Sequence, residues 1–343
     1  MAIEEAKTTV VAAAAEEDEA SFDQALRPQR LIDFIGQRQV KDSLKIFLAA
    51  TRERSEPLEH VLLSGPPGLG KTSLAHIIAR ELSANIRVTT GPALSKVADV
   101  AAILTNLEEG DVLFVDEIHR LQRTVEEVLY PAMEDFALDL VVGQGPGAKT
   151  LRLDLPRFTL VGATTRVGLL GSPLRDRFGM TYRLSFYEEA DMARILRRTA
   201  TLLRVEATPE ALQIVAERSR QTPRVGNRLL KRIRDFAQVH HKRAVTPDVV
   251  EEALGLLDID KRGLDTIDRH VLRVMVDQFE GGPVGLSTLS AVLSEEQRTL
   301  EEVVEPFLIQ VGMLRRTPRG RVVTQRAYEH LGIDEPAEQT ALL

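Results

Sequence analysis

The stretch Gly65-Pro66-Pro67-Gly68-Leu69-Gly70-Lys71-Thr72 decides the fold of this 343-residue chain. It follows the apolar run Val61–Leu63, a candidate buried strand, and it precedes a helical pattern over 72–82. Glycines between a strand and a helix let backbone N–H groups turn towards phosphate oxygens at the positive helix N-terminus. The stretch therefore predicts a nucleotide-binding α/β domain. The residues expected to bind the nucleotide here are Gly68, Gly70, Lys71, Thr72 and Ser73, with Thr72 also expected to ligate Mg²⁺.

Short β-rich runs alternate with helical patterns up to about residue 187, which is typical of a parallel sheet covered by helices. The further candidate strands are Ile86–Val88, Val112–Val115, Phe158–Val161 and Tyr182–Leu184. Beyond them the pattern is helical over 189–203, 209–220, 225–243 and 247–256, and the last part combines short helices with a strand-like Arg321–Thr324. We therefore predict a disordered acidic tail (1–22), a large P-loop domain with a parallel sheet (23–187), an all-helical lid domain (188–257) and a C-terminal winged-helix domain (258–343).

Charge and composition exclude several classes of protein. The net charge is −7, and residues 1–23 carry seven acids and one lysine, so the remaining chain is nearly neutral at −7 − (−6) = −1. With no cysteine, neither disulfides nor thiolate metal sites can form. No apolar run approaches the roughly 20 residues that span a bilayer. We expect a cytoplasmic protein that does not insert into membranes.

A second phosphate-site element lies about 45 residues after the loop, where the apolar run Val112–Val115 ends in Asp116 and Glu117. An apolar strand that ends in two acids is by itself more often a solvated strand end. Behind a phosphate loop, Asp116 is suited to hold Mg²⁺ through water and Glu117 to polarise the attacking water.

Three polar positions further along the chain complete the predicted catalytic set. Thr164 closes a strand, where its hydroxyl either orients water beside the γ-phosphate or caps the strand end. Arg177 is our choice for an arginine that stabilises the phosphoryl group in a neighbouring subunit's site, and Arg175 is expected to make a structural ion pair. Arg224 opens a helix of the lid, where it could contact the γ-phosphate.

The segment from Pro306 to Tyr328 contains no acid, although it carries five arginines between residues 315 and 326. A turn followed by a strand can present such arginines to DNA phosphates, and we expect Arg316, Arg319 and Arg321 to do so. The alternative is a solvated basic surface. A glycine-rich hairpin at about 138–153 is either a surface excursion or a docking site for a partner.

The order of these motifs resembles the AAA+ ATPases, and the sequence from about residue 22 to 333 resembles the RuvB family of bacterial Holliday-junction branch-migration motors. The most specific matching stretches are Gly162-Ala163-Thr164-Thr165-Arg166, Leu174-Arg175-Asp176-Arg177-Phe178-Gly179 and Arg316-Thr317-Pro318-Arg319-Gly320-Arg321. Family members often carry a DNA-contacting arginine where this sequence has Gln297, with Arg298 beside it.

The resemblance implies a homo-hexameric ring that encircles duplex DNA at a Holliday junction and uses ATP and Mg²⁺ to drive branch migration. It also implies RuvA as a partner that contacts the hairpin at about 138–153, and RuvC nuclease as a member of the larger complex. Leu26, Arg27, Tyr187 and Arg224 are implied nucleotide contacts. The alternatives are another AAA+ machine, such as a clamp loader or protein remodeller, and a non-hydrolysing scaffold subunit; the scaffold is disfavoured because Lys71, Glu117 and Arg177 are all present.

Overall fold

The structure is a computed structural model that describes residues 24–54, 56–142 and 149–334, with backbone only at 140–142 and 149. The predicted acidic tail and the glycine-rich tip of the hairpin lie outside the described residues. The chain divides into two compact units, one ending at Tyr187 and the other beginning at Glu188. Within the described part, no helix is both long enough and apolar enough to cross a membrane.

The first unit is built on a five-stranded sheet in which all strands are parallel. In spatial order its strands are β2 (Ile86–Thr90), β3 (Val112–Asp116), β6 (Thr159–Thr164), β1 (Val61–Ser64) and β7 (Met180–Arg183). All the strands expected from apolar runs form, and the three central ones are almost completely buried. Such continuous burial explains why their sequences lack polar alternation. The predicted α/β class is confirmed.

Helices cover this sheet and connect its strands. They are α1 (Arg38–Arg54), α2 (Lys71–Glu81), α3 (Val97–Leu104), α4 (Arg123–Glu134) and the short α5 (Ser172–Arg175). One core cluster joins β3 and β6 to apolar side chains of α3 and α4, among them Leu104, Val125 and Leu129. The packing fixes the strand ends against each other, and these ends carry the candidate site.

The hairpin before β6 forms with antiparallel strands β4 (Ala137–Val142) and β5 (Lys149–Asp154). It is a separate two-stranded sheet rather than an extension of the parallel one. Leu138 at its base is buried in the same core as α4, whereas Leu151 near its far end is about half exposed. The base is therefore anchored, and Leu151 presents apolar surface.

The second unit begins with the helices of the lid segment, which are α6 (Glu189–Leu202), α7 (Pro209–Glu217), α8 (Pro223–Val239) and α9 (Pro247–Leu256). Three of the four start with proline, whose missing N–H costs nothing in the first turn. Thr208 caps α7 by accepting a hydrogen bond from the Ala211 N–H at 3.2 Å. Thr246 stands at the N-cap of α9 without a side-chain hydrogen bond.

The rest of the second unit, from residue 258 onward, is the head segment. Its first helices are α10 (Thr266–Phe279), α11 (Leu286–Leu293) and α12 (Gln297–Thr299). A π-helical turn at Leu300–Val304 connects α12 to α13 (Glu305–Gln310). The strands β8 (Leu314–Thr317) and β9 (Gly320–Val323) then form an antiparallel hairpin before α14 (Gln325–Leu331). A core of its own holds this segment together, with Leu272, Leu308 and Tyr328 at its centre. The helices α10 and α11, the continuous helical stretch α12–α13 and the two-stranded wing form the predicted winged helix.

Candidate nucleotide site and DNA-binding wing

The phosphate loop connects β1 to the N-terminus of α2. Gly65, Gly68 and Gly70 all have positive φ, of 139°, 79° and 102°. At Gly65 a side chain is also excluded by space, because a Cβ atom would lie 2.6 Å from the carbonyl oxygen of Leu184. The loop is thus held against the end of β7, with the first N–H groups of α2 directed to its interior. Thr72 and Ser73 stand in the first turn of α2, both half-buried.

Lys71 is buried at the start of α2, and its Nζ lies inside the loop. It donates hydrogen bonds to the carbonyl oxygens of Gly65 at 2.7 Å and Pro66 at 2.8 Å. These bonds hold a charged ammonium group within the loop that would surround the phosphates. A triphosphate can exchange with the two carbonyls because its oxygens are charged acceptors and form stronger hydrogen bonds.

Asp116 is the last residue of β3 and Glu117 follows it, next to the loop. The Thr72 hydroxyl lies 3.5 Å from Asp116 Oδ2, so two oxygen donors meet at the end of β3. Oxygen donors of this kind, completed by phosphate oxygens and water, suit Mg²⁺. Glu117 has a left-handed backbone, with φ of 49°, and its carboxylate pairs with Arg120 at 2.7 Å. A non-glycine residue in this conformation costs free energy, and such strain is found mostly at functional sites.

The two threonines at the end of β6 have different surroundings. The Thr164 hydroxyl is buried, lies 3.0 Å from His119 Nδ1 and accepts the Arg166 N–H at 2.9 Å. The Thr165 hydroxyl oxygen is also buried but has no hydrogen-bond partner in the described part of the chain. Sequence analysis selected Thr164 and gave His119 no role, although the histidine lies two residues after the paired acids.

The nucleotide contacts that the resemblance implies in this unit belong to two chain segments beside the loop. Leu26 is buried. The pKa of His76 on α2 is lowered mainly by burial and also by the nearby positive charge of Arg27. Tyr187 is buried and donates a hydrogen bond from its hydroxyl to the Leu69 carbonyl at 3.1 Å. It therefore fixes the loop from the side where the first unit ends.

Two further residues hold the N-terminal segment in place, and sequence analysis gave them no role. The ring of Phe34 packs near Gly70, where a Cβ atom would lie 3.1 Å from it. The amide of Gln37 makes a reciprocal pair with the backbone of Ser185, donating to its carbonyl at 2.6 Å and accepting its N–H at 3.1 Å. Both belong to the Phe34-Ile35-Gly36-Gln37 stretch, and no local chemistry in its sequence indicates these contacts.

Both candidate finger arginines make an ion pair, and the shorter one belongs to Arg177. Arg177 lies 3.0 Å from Glu134 of α4 and donates to the Pro173 carbonyl at 2.6 Å. Its guanidinium also stacks 4.5 Å above the ring of Tyr130. Arg175 is about half exposed, and its contact is with the adjacent Asp176 at 4.0 Å. Arg177 is therefore the more firmly positioned of the two.

Arg224 occupies the second position of α8, in the second compact unit. As predicted, it stands at the start of a helix, after Thr222 and Pro223. It also interacts with other residues of the chain. Its contact with a nucleotide stays a prediction.

The arginines of the wing fall into two groups. Arg316 on β8 and Arg321 on β9 both pair with Glu305, with Nε–Oε1 distances of 2.6 and 3.0 Å. Glu305 is almost fully buried at the start of α13, and Arg321 is only 15% exposed. Arg316 is half exposed, and Arg319 is exposed in the turn between the strands. Sequence analysis missed Glu305 because it lies just before the acid-free segment.

Glu305 titrates below the ordinary range of a glutamate. Burial alone would raise its pKa, but the hydrogen bonds and charges of Arg316 and Arg321 outweigh that cost and lower it. The carboxylate therefore stays charged and fixes both strands of the wing. Arg316 has exposed surface left for a phosphate, whereas Arg321 is mainly a structural partner.

Comparisons with known proteins cover nearly the whole described chain. Family models match in succession: the Holliday junction DNA helicase RuvB P-loop domain at 26–184, the RuvB AAA lid domain at 187–260 and the RuvB C-terminal winged helix domain at 261–332. The Holliday junction branch migration complex subunit RuvB of Chloroflexus aggregans is 56% identical over 325 residues, or 95% of this chain and 93% of that protein. The same subunit of Chloroflexus aurantiacus is 57% identical over 93% of this chain and 91% of its own length.

Solved structures show the same likeness. The Thermotoga maritima RuvB Holliday junction branch migration motor is 52% identical and superposes with a TM-score of 0.84, covering 91% of this chain and 100% of that one. The order of P-loop domain, lid and winged helix is common to all these matches. The chain belongs to the RuvB family, the AAA+ ATPases of Holliday-junction branch migration.

Proposed function

We propose that this protein is the ATP-driven DNA translocase of a Holliday-junction branch-migration complex, acting as a hexameric ring on duplex DNA during recombination and repair. The observation that carries the proposal is the convergence of Lys71, Asp116 and Thr164 at the carboxyl ends of three neighbouring strands. This edge of a parallel sheet is where α/β folds bind ligands. An arginine-bearing wing in the same chain supplies a surface for DNA.

ATP binds in the loop, where Gly68, Gly70 and Ser73 offer backbone N–H groups and Lys71 balances the charge of the β- and γ-phosphates. Thr72 and Asp116 are placed to hold Mg²⁺, which supplies charge neutralisation on the phosphates when it is bound. Leu26 and Arg27 line the adenine pocket, Tyr187 is a further nucleotide contact, and Arg224 contacts the γ-phosphate from the lid.

Glu117 acts as the base that polarises the attacking water, and this role requires its carboxylate to leave the ion pair with Arg120. Thr164 orients the catalytic groups through its hydrogen bond to His119. The hydroxyl of Thr165, which has no hydrogen-bond partner among the residues that the structure describes, is the second candidate for contact with the water or the γ-phosphate.

Arg177 completes a neighbouring subunit's site as the arginine finger. The contacts with Tyr130 and Glu134 hold its guanidinium ready in the absence of that neighbour. An arginine supplied in this way accelerates hydrolysis about 10³- to 10⁵-fold.

The wing holds duplex DNA by its backbone through Arg316 and Arg319, with Arg321 as their structural support. The β4–β5 hairpin, where Leu151 is exposed, is the docking site for RuvA, and RuvC joins the larger complex. We further propose a cytoplasmic location.

ATP-driven dissociation of a synthetic four-way DNA junction, with and without RuvA, tests this function. We expect RuvA-stimulated dissociation that requires hydrolysable ATP and is abolished in Lys71→Ala. A protein that hydrolyses ATP without moving the junction under any condition would refute the proposal.

A further inference from the structure

The turn between α7 and α8 carries an arginine that crosses from the lid segment to the head segment. Arg220 donates from Nη2 to Asp265 Oδ2 and to Asp268 Oδ2, both at 2.6 Å, where α10 begins. Its Nε donates to the Gly263 carbonyl at 3.3 Å, and its guanidinium stacks 4.7 Å from the ring centre of Phe307 on α13. One side chain of the lid thus contacts three elements of the head.

Other contacts from the same turn reinforce this connection. Gln221 accepts a short hydrogen bond from the amide of Gln310 at the end of α13. The backbone of Gly263 lies so close to Arg218 that a Cβ atom on the glycine would stand 2.8 Å from the Arg218 carbonyl oxygen. Arg220 and Gln221 also both adopt left-handed backbone conformations, with φ of 53° and 52°. The turn holds two strained residues in succession to make these contacts.

The chemistry of this node is costly for a purely structural element. Asp268 is completely buried, and its Oδ1 makes no hydrogen bond to any residue that the structure describes. Burial raises the pKa of Asp268 to about 7. A buried ion pair gives little net stability compared with apolar packing, whereas it does enforce one relative arrangement of the groups it joins. The node therefore specifies how lid and head are arranged.

The position of the node in the chain connects it to the nucleotide. Arg220 is four residues before Arg224, and α8 begins between them at Pro223. A displacement of the N-terminus of α8 must move the turn that carries Arg220, because a helix of 17 residues is a rigid body. The head follows the turn as long as the ion pairs hold.

We propose that Arg220 is a positioning residue that couples the lid to the DNA-binding head, so that a change at the nucleotide is transmitted to DNA through its ion pairs with Asp265 and Asp268. This proposal rests on the proposed function for its purpose, but the rigid connection itself can be measured separately.

The connection is tested first by distance measurement in the full chain. The protein has no cysteine, so Val239→Cys on α8 and Val292→Cys on α11 introduce one spin label in each segment at exposed positions. We expect a narrow distance distribution with Arg220 present and at least a twofold broader one in Arg220→Ala. Arg220→Lys should narrow it again in part, because lysine keeps the charge but lacks the Nε donor to the Gly263 carbonyl and the planar group that stacks on Phe307. An unchanged distribution in Arg220→Ala would overturn the proposal.

The second measurement is the amount of junction DNA migrated per ATP hydrolysed, below the melting temperature of every variant. We expect Arg220→Ala to keep ATP turnover within about twofold of the parent, because the nucleotide site is intact, while migration per ATP falls at least tenfold. Glu251→Gln is the matched control, since it breaks the ion pair of the buried Arg218 within the lid and leaves the connection to the head intact. Migration that falls only in proportion to ATP turnover, or falls equally in the control, would refute the coupling role.

The two measurements separate the possible failures. If the parent protein moves no junction but the distance distribution between the labels broadens in Arg220→Ala, the proposed function fails and the rigid connection stands. If Arg220→Ala does not fold, Asp265→Asn removes the charge of the other partner of the same node with nearly unchanged volume, and the same broadening is required of it.

Discussion

Replacement of Glu305 by alanine tests whether this buried carboxylate is the structural centre of the wing. Its two oxygens accept four hydrogen bonds, from Nε and Nη2 of Arg316 and of Arg321, at 2.6 to 3.1 Å. In Glu305→Ala the guanidinium of Arg321, 15% exposed, loses its carboxylate within the protein, whereas Arg316 regains water because half of it is exposed. The cost of the substitution therefore comes mainly from Arg321.

The magnitude follows from these exposures. Removing one partner of a buried pair costs about 3 to 5 kcal/mol, and the lower end applies because Arg316 is readily solvated. At roughly 2 to 4 °C per kcal/mol for a unit of this size, about 3 kcal/mol lowers the melting temperature of the second unit by roughly 6 to 12 °C. Glu301→Ala is the matched control: Glu301 lies one turn earlier, contacts the same Arg316 at 3.5 Å and is 34% exposed, so the loss should be under about 1 kcal/mol.

Calorimetry of the full chain is the suitable assay, because the protein has no tryptophan to report on the head. We expect the transition that contains the head to move in Glu305→Ala and the P-loop domain's transition to stay. Equal melting temperatures for Glu305→Ala and Glu301→Ala would refute the assignment of Glu305 as the support of the wing.

The other predictions concern the nucleotide site, the ring and the head. Lys71→Ala should abolish ATP binding, whereas Glu117→Gln should bind ATP and turn over at least 100-fold more slowly; equal turnover in the latter, measured by phosphate release, would exclude Glu117 as the base. Arg177→Ala should remove most ATPase activity, and mixing it with Lys71→Ala subunits should restore part of it, because the mixed interface has one intact loop and one intact finger; no recovery on mixing would contradict completion of the site in trans. Arg319→Ala should lower the slope of log DNA affinity against log salt by about 0.9, measured by titration, and an unchanged slope would mean that it contacts no phosphate. For Asp268 the pKa is raised from its ordinary 3.8 to about 7, so between these two pH values the folded protein holds a proton that the unfolded chain releases. This contribution to stability is therefore lost as pH rises from about 4 to 7. The melting temperature of Asp268→Asn should lack that decline, and identical pH profiles for the variant and the parent would show that Asp268 does not titrate in this range.

The parts of the fold that depend on local sequence were predictable. The glycine loop, the apolar strands and the proline helix starts each have a physical cause within a few residues, and they appear within three residues of their predicted bounds at β1, β3, α7 and α9. Helix ends were predicted less well. The pattern over 225–243 continues past Val239, where α8 ends and His241 turns left-handed, so that the Lys242 N–H bonds to the Ala237 carbonyl at 2.8 Å. Nothing in the periodicity of the side chains signals such a reversal.

The candidate site was predictable in its composition but not in its pairings. Sequence identified Arg177 and Arg321 by their charge and by the resemblance, whereas their carboxylate partners lie 43 and 16 residues away. Tertiary packing alone brings these groups together, and no local pattern encodes it.

Burial decides which arginines remain available for other partners. A mostly buried arginine retains its ion pair with a carboxylate, because separating the two groups would leave an unpaired charge where little water can reach it. An arginine at the turn of a hairpin has no such constraint and can exchange water for a phosphate at little cost. By this argument Arg321 and Arg220 maintain the arrangement of the head, and Arg319 is free to contact DNA. The net count of arginines in a segment therefore overestimates its phosphate contacts wherever a buried acid lies beside it.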